Sequence, residues 1–286
     1  MINTVAVIGS GTMGRGIAQS AALAGHGVIL YDLTDEIVQR ALAAIGDSIT
    51  EGVRRSKTAP EVAERAKAAL TPVTDLARAA AADLVIEAVP EELALKRRVF
   101  EQLDAAAPAH TILASNTSSL SISAIAGATR RPERVIGLHY FNPAHIMPLV
   151  EIIRGDLTDD ATTSASHAFV EGLGKTAVVC HDSPAFIVNR VARPFYGEAF
   201  RLLGEGAAGV ATIDRLIRSL GFRMGPFELV DLIGLDVNLA VTKSVYDAYF
   251  QDAKYRPHPI QQRMVESGRL GRKSGRGFYE YDLPKS

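Results

Sequence analysis

The stretch VAVIGSGTMGRGIAQSAALAGHGVILYD, from Val5 to Asp32, constrains the fold more than any other part of the chain. Val5–Ile8 is a short β-branched run, Met13–Ala24 carries helical spacing, and Val28–Tyr31 is a second apolar run. Gly9, Gly11 and Gly14 form G-x-G-x-x-G directly after the first run and at the head of the helix, with Thr12 and Met13 between the second and third glycines. In such a unit the first glycine permits the tight turn, the second lets backbone approach a pyrophosphate, and the third lets the helix pack closely on the strand. The N–H groups at the helix N-terminus then meet the phosphate charge. Asp32 closes the second apolar run, 18 residues past Gly14. A carboxylate there accepts from adenosine ribose hydroxyls and repels a 2′-phosphate. No Arg or Lys follows it until Arg40, so the sequence favours NAD over NADP. FAD, or a glycine turn that binds nothing, is the alternative; strand, helix, second strand and acid together favour the dinucleotide.

Beyond this unit, Leu84–Ala88, Ile112–Ala114, Val135–His139, Leu149–Ile153 and Val178–Cys180 are short apolar runs, with Ala-, Arg- and Glu-rich helical stretches between several of them. Alternating strands and helices predict an α/β fold, a Rossmann-like doubly wound sheet that is mostly parallel and covered on both faces. The pattern breaks at HDSPAF, His181–Phe186, after which nearly everything to about Leu270 reads as helix. The boundary is placed near Ser183–Pro184, giving a dinucleotide-binding domain over 1–183 and an all-α domain over 184–286. A chain of 286 residues has room for both.

Composition removes several classes of function. Thirty-one basic residues against 32 acidic ones leave a net charge of −1, which argues against general nucleic-acid binding. The single cysteine, Cys180, permits neither an intrachain disulfide nor a cysteine-based zinc site, and no metal site is expected. It suits a reducing, cytoplasmic setting. The opening MINTVAVIG lacks a charged segment before an apolar one, and no run of about 20 apolar residues occurs, so neither a signal peptide nor a membrane span is expected.

Redox chemistry at a carbinol carbon needs a base for the hydroxyl proton. Of seven histidines, His139 stands out, because VIGLHYFNP places it at the end of a strand, where ligands bind in open α/β sheets. Twelve residues on, Glu151 lies inside the apolar run PLVEII, an expensive place for an unpaired carboxylate. A histidine across neighbouring strands would relieve it, and the acid would fix the imidazole tautomer. The alternative is a satisfied core histidine and an acid bound to backbone. LASNTSSLSIS offers Asn116, Thr117, Ser118 and Ser119 as ligand donors or helix caps. FIVNR places Asn189 and Arg190 on the first turns of the helical region. Glu91 and Lys96 flank a strand end and the next helix, touching a cofactor or covering that helix. Arg54, Arg55 and Lys57 form a basic group that suits a phosphate or a solvated face, and GRLGRKSGRGFYEY reads as a basic ligand loop or a tail turn.

Together, VIGSGTMGRGIAQ, DLVIEAVPEELALKRRVF, ILASNTSSLSIS, RVIGLHYFNPAHIMPLVEII, FIVNR, GPFELVDLIGLDV and GRLGRKSGRGFYEY resemble the L-3-hydroxyacyl-CoA dehydrogenase family, most closely its bacterial 3-hydroxybutyryl-CoA dehydrogenases, over nearly the whole chain. The resemblance implies NAD-dependent oxidation of an (S)-3-hydroxyacyl-CoA. His139 is then the catalytic base, Glu151 its partner acid, and Ser118 and Asn189 the substrate contacts. It implies NAD contacts at Asp32, Glu91, Lys96, Asn142 and Lys273, a CoA contact near Lys57, and a homodimer formed through the helical domain. One departure is Ala185, where the family usually has glycine, at a position that bears on domain closure. A dehydrogenase of free hydroxy acids or sugar acids and a redox-inactive nucleotide-binding protein are the competing readings on the same fold. Enzymes of the hydroxyisobutyrate and phosphogluconate type fit less well, because FIVNRVARPFYGEAF presents Asn189 and no lysine.

Overall fold

A computed structural model describes residues 2–282. The chain divides into two compact units, one ending at Phe186 and one beginning at Ile187. In the first, β1 (Thr4–Ile8), α1 (Thr12–Leu23), β2 (Gly27–Tyr31), α2 (Asp35–Arg54), α3 (Pro60–Ala68) and β3 (Leu70–Val73) make the first half. The helix α4 (Leu76–Ala80) leads to β4 (Leu84–Glu87), α5 (Leu93–Ala106), β5 (Ile112–Ser115), α6 (Ile122–Ala126), β6 (Val135–Tyr140), β7 (Leu149–Arg154), α7 (Asp160–Gly172) and β8 (Thr176–His181). All eight strands form one sheet in the order β3-β2-β1-β4-β5-β6-β7-β8. Every pairing is parallel except β6 with β7. The run 3-2-1-4-5-6 is the doubly wound order that opens a crevice at the strand carboxyl ends between β1 and β4.

The two faces of this sheet bury separate apolar clusters. Val5, Val7, Val28, Leu30 and Ile86 pack on one side with α1 and α2, and Ala6, Ile8, Val85 and Leu113 on the other with Phe100 and Leu103 of α5. Successive side chains of a strand point to opposite faces, so both must be apolar when both are covered. β3 was not expected from the sequence. It is a four-residue edge strand that contains Pro72, and an edge is where a residue without an N–H is tolerated.

The second unit is helical: α8 (Val188–Gly204), α9 (Val210–Ser219), α10 (Pro226–Ile233), α11 (Leu235–Ala248) and α12 (Pro259–Glu266). Tyr196, Phe200, Ile213, Phe227, Val230 and Met264 form its core. Two buried aspartates fix its shape. Asp214 accepts from the N–H groups of Phe227 and Glu228 at 2.9 and 3.0 Å, capping α10, and from the Tyr279 hydroxyl at 2.8 Å. Asp231 accepts from the N–H groups of Phe278 and Tyr279 and from the Tyr281 hydroxyl, each at 3.0 Å. The tail motif GRLGRKSGRGFYEY is thus clasped by Asp231. A Cβ on Gly277 would lie 2.1 Å from that carboxylate, which explains a glycine there.

Candidate active site

Gly9 turns the chain after β1 with φ +97°, and a Cβ on Gly14 would lie 1.8 Å from the Gly9 carbonyl oxygen. Gly11 meets no atom within 4 Å of its Cβ position, and no side chain caps the N-terminus of α1 behind it. Its first N–H groups, with the positive end of the helix dipole, are therefore left for an anion. A groove of about 890 Å³ runs over these strand ends, lined by Gly9, Gly11, Asp32, Leu33, Val89 and Val99 among others. Ser10 donates to Asp32 Oδ2 from both its N–H (2.8 Å) and its hydroxyl (2.6 Å), and the Leu33 N–H donates to Oδ1 at 2.8 Å. Burial alone would raise the Asp32 pKa, but the Ser10 and Leu33 bonds outweigh it and hold it below the usual aspartate value. An ionised acid on an open, uncapped helix mouth fits a dinucleotide whose ribose hydroxyls donate and whose pyrophosphate is anionic. Arg40 and Arg98 line the same groove. The fold thus brings basic residues into the groove beside Asp32, where the sequence spacing suggested a lack of them.

At the far side of the crevice, His139 and Glu151 are direct register partners across the one antiparallel pairing of the sheet. His139 Nδ1 lies 2.7 Å from Glu151 Oε2, with the two side chains 6% and 1% exposed. With Nδ1 bonded to a carboxylate, Nε2 is the nitrogen left to exchange a proton with a ligand. Phe141 and Phe186 flank the imidazole, with ring centroids 4.4 and 5.7 Å away, and give it apolar walls. The Asn116 side-chain oxygen accepts from the Tyr140 N–H at 2.9 Å, tying the loop after β5 to the residue next to His139.

Between these clusters, at the ends of β4 and β5, lies a third. Glu91 Oε1 accepts from the Thr117 hydroxyl at 2.6 Å, the Ser118 N–H at 2.8 Å and the Ser118 hydroxyl at 3.1 Å. Burial raises the Glu91 pKa, and the Lys96 charge with the Thr117 and Ser118 bonds more than reverses this, leaving it lowered. The Lys96 ammonium is almost wholly buried, at 3.2 Å from Glu91 Oε2 and 2.7 Å from Glu87 Oε1. Neither Glu87 nor Ser10 was found from the sequence. An acid closing an apolar run was the available signal for Glu87, akin to the acid inside an apolar run that marked Glu151.

The remaining expected residues lie apart from these clusters or in the other unit. Asn142 is exposed just beyond β6, joined to Pro143 by a cis peptide bond. Lys57 is exposed past the end of α2, while Arg54 and Arg55 are both bound to Glu51. In the helical unit, Asn189 lies on the first turn of α8, and Lys273 Nζ is 2.6 Å from Asp236 Oδ1. Burial, with the charges of Glu151 and Asp182, pushes the Cys180 thiol up to about 12, so it is no nucleophile at neutral pH.

A glycine-turn nucleotide groove and a buried acid–base pair at the ends of one doubly wound sheet define a dinucleotide-dependent dehydrogenase fold. Residues 4–183 match the NAD-binding domain of 3-hydroxyacyl-CoA dehydrogenase, and residues 186–281 match its C-terminal domain. The chain belongs to the 3-hydroxyacyl-CoA dehydrogenase family, a family of NAD-dependent oxidoreductases. It is 50% identical over 281 residues to a 3-hydroxyadipyl-CoA dehydrogenase of Escherichia coli (strain K12), covering 98% of this chain but 59% of that protein. It is 44% identical to a 3-hydroxybutyryl-CoA dehydrogenase of Bradyrhizobium diazoefficiens, covering 98% and 96% of the two chains. The crystal structure of the (S)-3-hydroxybutyryl-CoA dehydrogenase of Ralstonia eutropha superposes with a TM-score of 0.94 at 41% identity, covering 99% of this chain and all of that one.

Proposed function

We propose that this protein interconverts a short-chain (S)-3-hydroxyacyl-CoA, with 3-hydroxybutyryl-CoA as the leading candidate, and the 3-ketoacyl-CoA, with NAD as the redox partner. The observation that carries this reading is the His139–Glu151 pair, buried at 2.7 Å in a unit that matches the family's NAD-binding domain. When bound, NAD supplies the acceptor for the hydride that leaves C3. The chain supplies the rest. His139 Nε2 takes the C3 hydroxyl proton during oxidation and returns it during reduction. Glu151 holds Nδ1 in the tautomer that leaves Nε2 as acceptor and favours the imidazolium that forms. Ser118 and Asn189 hydrogen-bond the substrate oxygens and orient C3. Glycines 9, 11 and 14 and Asp32 hold the dinucleotide, and the wall of Phe141 and Phe186 keeps water from the imidazole.

On this reading residues 1–183 form the cofactor domain and 184–286 the substrate domain, and the protein works in the cytoplasm. Among the described residues no helix is long and apolar enough to cross a membrane. The helical unit leaves Val191, Leu216, Leu220 and Phe222 each more than half exposed, which supports a homodimer formed through it.

The test is NADH oxidation with acetoacetyl-CoA, run beside free acetoacetate and repeated with NADPH. Turnover of the thioester with NADH, and of neither other combination, supports the proposal. Turnover of the free acid in preference overturns the CoA assignment in favour of a hydroxy-acid dehydrogenase. Turnover of longer or ω-carboxylated acyl-CoA alone revises the chain length.

A further inference from the structure

Arg193 lies on α8 with 5% of its surface exposed, and no carboxylate faces it among the described residues. Arginine is almost never buried to that degree unless an acid pairs with it. Nε donates to the Asn189 carbonyl at 3.3 Å, and Nη1 donates to the Asn238 carbonyl and the Thr242 hydroxyl, both at 3.0 Å. A guanidinium has five N–H groups, so these bonds leave the two on Nη2. The Tyr196 ring, 5.0 Å from Cζ, offers its face but no charge. Burial without an acid pushes the Arg193 pKa down to about 10, so the group is still a cation at neutral pH. Beside it, Asn238 is 1% exposed. Its side-chain oxygen accepts from Gln261 Nε2 at 2.8 Å, while Nδ2 has no partner among the described residues. Buried donors without acceptors are costly to a fold, most of all a charged one, and an anionic oxygen acceptor is what complements them.

The place of Arg193 narrows the acceptor to one class. Asn189, the proposed substrate contact, precedes it by four residues on α8, so the two share one helix face with Cβ atoms about 5–6 Å apart. An acyl chain held at Asn189 by its C3 oxygen needs only a few more carbons to bring its far end one turn along, to the guanidinium. We propose that Arg193, with Asn238 beside it, is a specificity determinant for the distal end of the substrate: it binds a carboxylate there, and the enzyme prefers a 3-hydroxyacyl-CoA that ends in one over the unsubstituted thioester of the same length. A methyl end would leave the buried charge unpaired, which is how a polar site rejects an apolar analogue. The proposal extends the short-chain reading to chains that end in a charge, and it rests on that reading's thioester substrate and on Asn189 as its contact.

The experiment compares kcat/KM for NADH-dependent reduction of 3-ketoadipyl-CoA and 3-ketohexanoyl-CoA, thioesters of one length that end in a carboxylate and a methyl group, by wild type and by Arg193→Met. Both rates come from one sample, so a partly folded variant leaves their ratio intact. Wild type is expected to favour the carboxylate about 10–100-fold, the size of one charge-assisted hydrogen bond, chiefly through KM. Arg193→Met is expected to bring the ratio close to unity. Equal use of the two thioesters by wild type, or an undiminished preference in Arg193→Met, would overturn the proposal. If Arg193→Met does not fold, Asn238→Asp tests the same point from the other side. It keeps the acceptor for Gln261 and supplies the missing buried acid, so it is expected to erase the preference and raise Tm. A preference that survives this variant overturns the proposal as well. Reduction of free 3-keto acids in place of both thioesters would sink the thioester reading itself, an outcome distinct from equal use of the two.

Discussion

Both units bury carboxylates, and they treat them differently. In the sheet unit, Glu151 and Glu87 face side chains that can carry a positive charge, His139 at 2.7 Å and Lys96 at 2.7 Å. In the helical unit, Asp214 and Asp231 face backbone N–H groups and tyrosine hydroxyls. A carboxylate opposite a proton-carrying partner can change that partner's charge during a reaction. One opposite peptide N–H groups can only hold the chain in place. Asp104 shows that a charged partner alone is not enough. It is buried on α5 and binds Arg130 and Arg131, yet Arg131 also ties down the carbonyls of Ala107 and Pro108 in the turn after the helix. The partner's chemistry and its place at the ligand end of the sheet must agree.

The largest effects test the sheet side of the contrast. His139→Gln is expected to lower kcat by about 10²–10⁴-fold, the usual worth of a positioned base, with NADH affinity unchanged in a fluorescence titration. Near-normal turnover would remove His139 from the chemistry. Glu151→Gln keeps the size and most of the packing but loses the charge that fixes the imidazole. A loss approaching that of His139→Gln is expected, with Tm moved by only a few degrees. Asp231→Ala should reverse the balance. Two backbone N–H groups and a tyrosine hydroxyl lose their acceptor, a destabilisation of about 2–4 kcal/mol in chemical denaturation. The kcat of the protein that remains folded should change little. If Asp231→Ala cut turnover without lowering stability, the division between reacting and architectural acids would fail.

The same contrast explains what the sequence could reveal. The glycine turn, Asp32 and the run of strands were legible because glycine spacing and apolar runs are local properties. Glu151 was legible for a different reason, as a charge inside an apolar strand that required a partner, and its register opposite His139 supplied one. Glu87 is likewise an acid in an apolar strand, at its last position, but its partner Lys96 lies on the next helix, where it reads as a cofactor contact or a cover for that helix and not as the partner of a buried acid. The serines and threonine after β5 read as ligand donors or helix caps, yet Thr117 and Ser118 bond to Glu91, a loop residue 26 and 27 positions earlier. Pairings between loops leave no periodic trace. The tail motif had the opposite history. It reads as a basic ligand loop or a tail turn because it is rich in Gly, Lys and Arg, and two of its glycines, Gly271 and Gly277, lie where a Cβ would meet Asp231. Ala185 was visible only as a departure from the family pattern. The structure gives it φ +67°, a left-handed conformation that costs a residue with a Cβ about 1 kcal/mol.

The smallest expected effect separates the two kinds of acid by the sign of a pH dependence. Burial raises the pKa of Asp214, and its bonds from Phe227, Tyr279 and Glu228 do not fully offset this. An acid whose folded pKa is raised gives its full contribution to stability below its unfolded value, about 3.9, and loses it as pH rises through the folded value. Glu91 is held below its usual value, so its contribution is complete above the unfolded value of about 4.3 and is lost as pH falls through the folded one. Denaturant titrations of wild type, Asp214→Asn and Glu91→Gln between about pH 3.5 and 7 should therefore diverge. Titrations common to all three proteins cancel in the differences. On acidification the wild-type advantage over Asp214→Asn should widen, while that over Glu91→Gln should narrow. Two gaps that moved together would mean that the carboxylates of the two units answer to protons alike, and that the distinction drawn from their partners has no electrostatic basis.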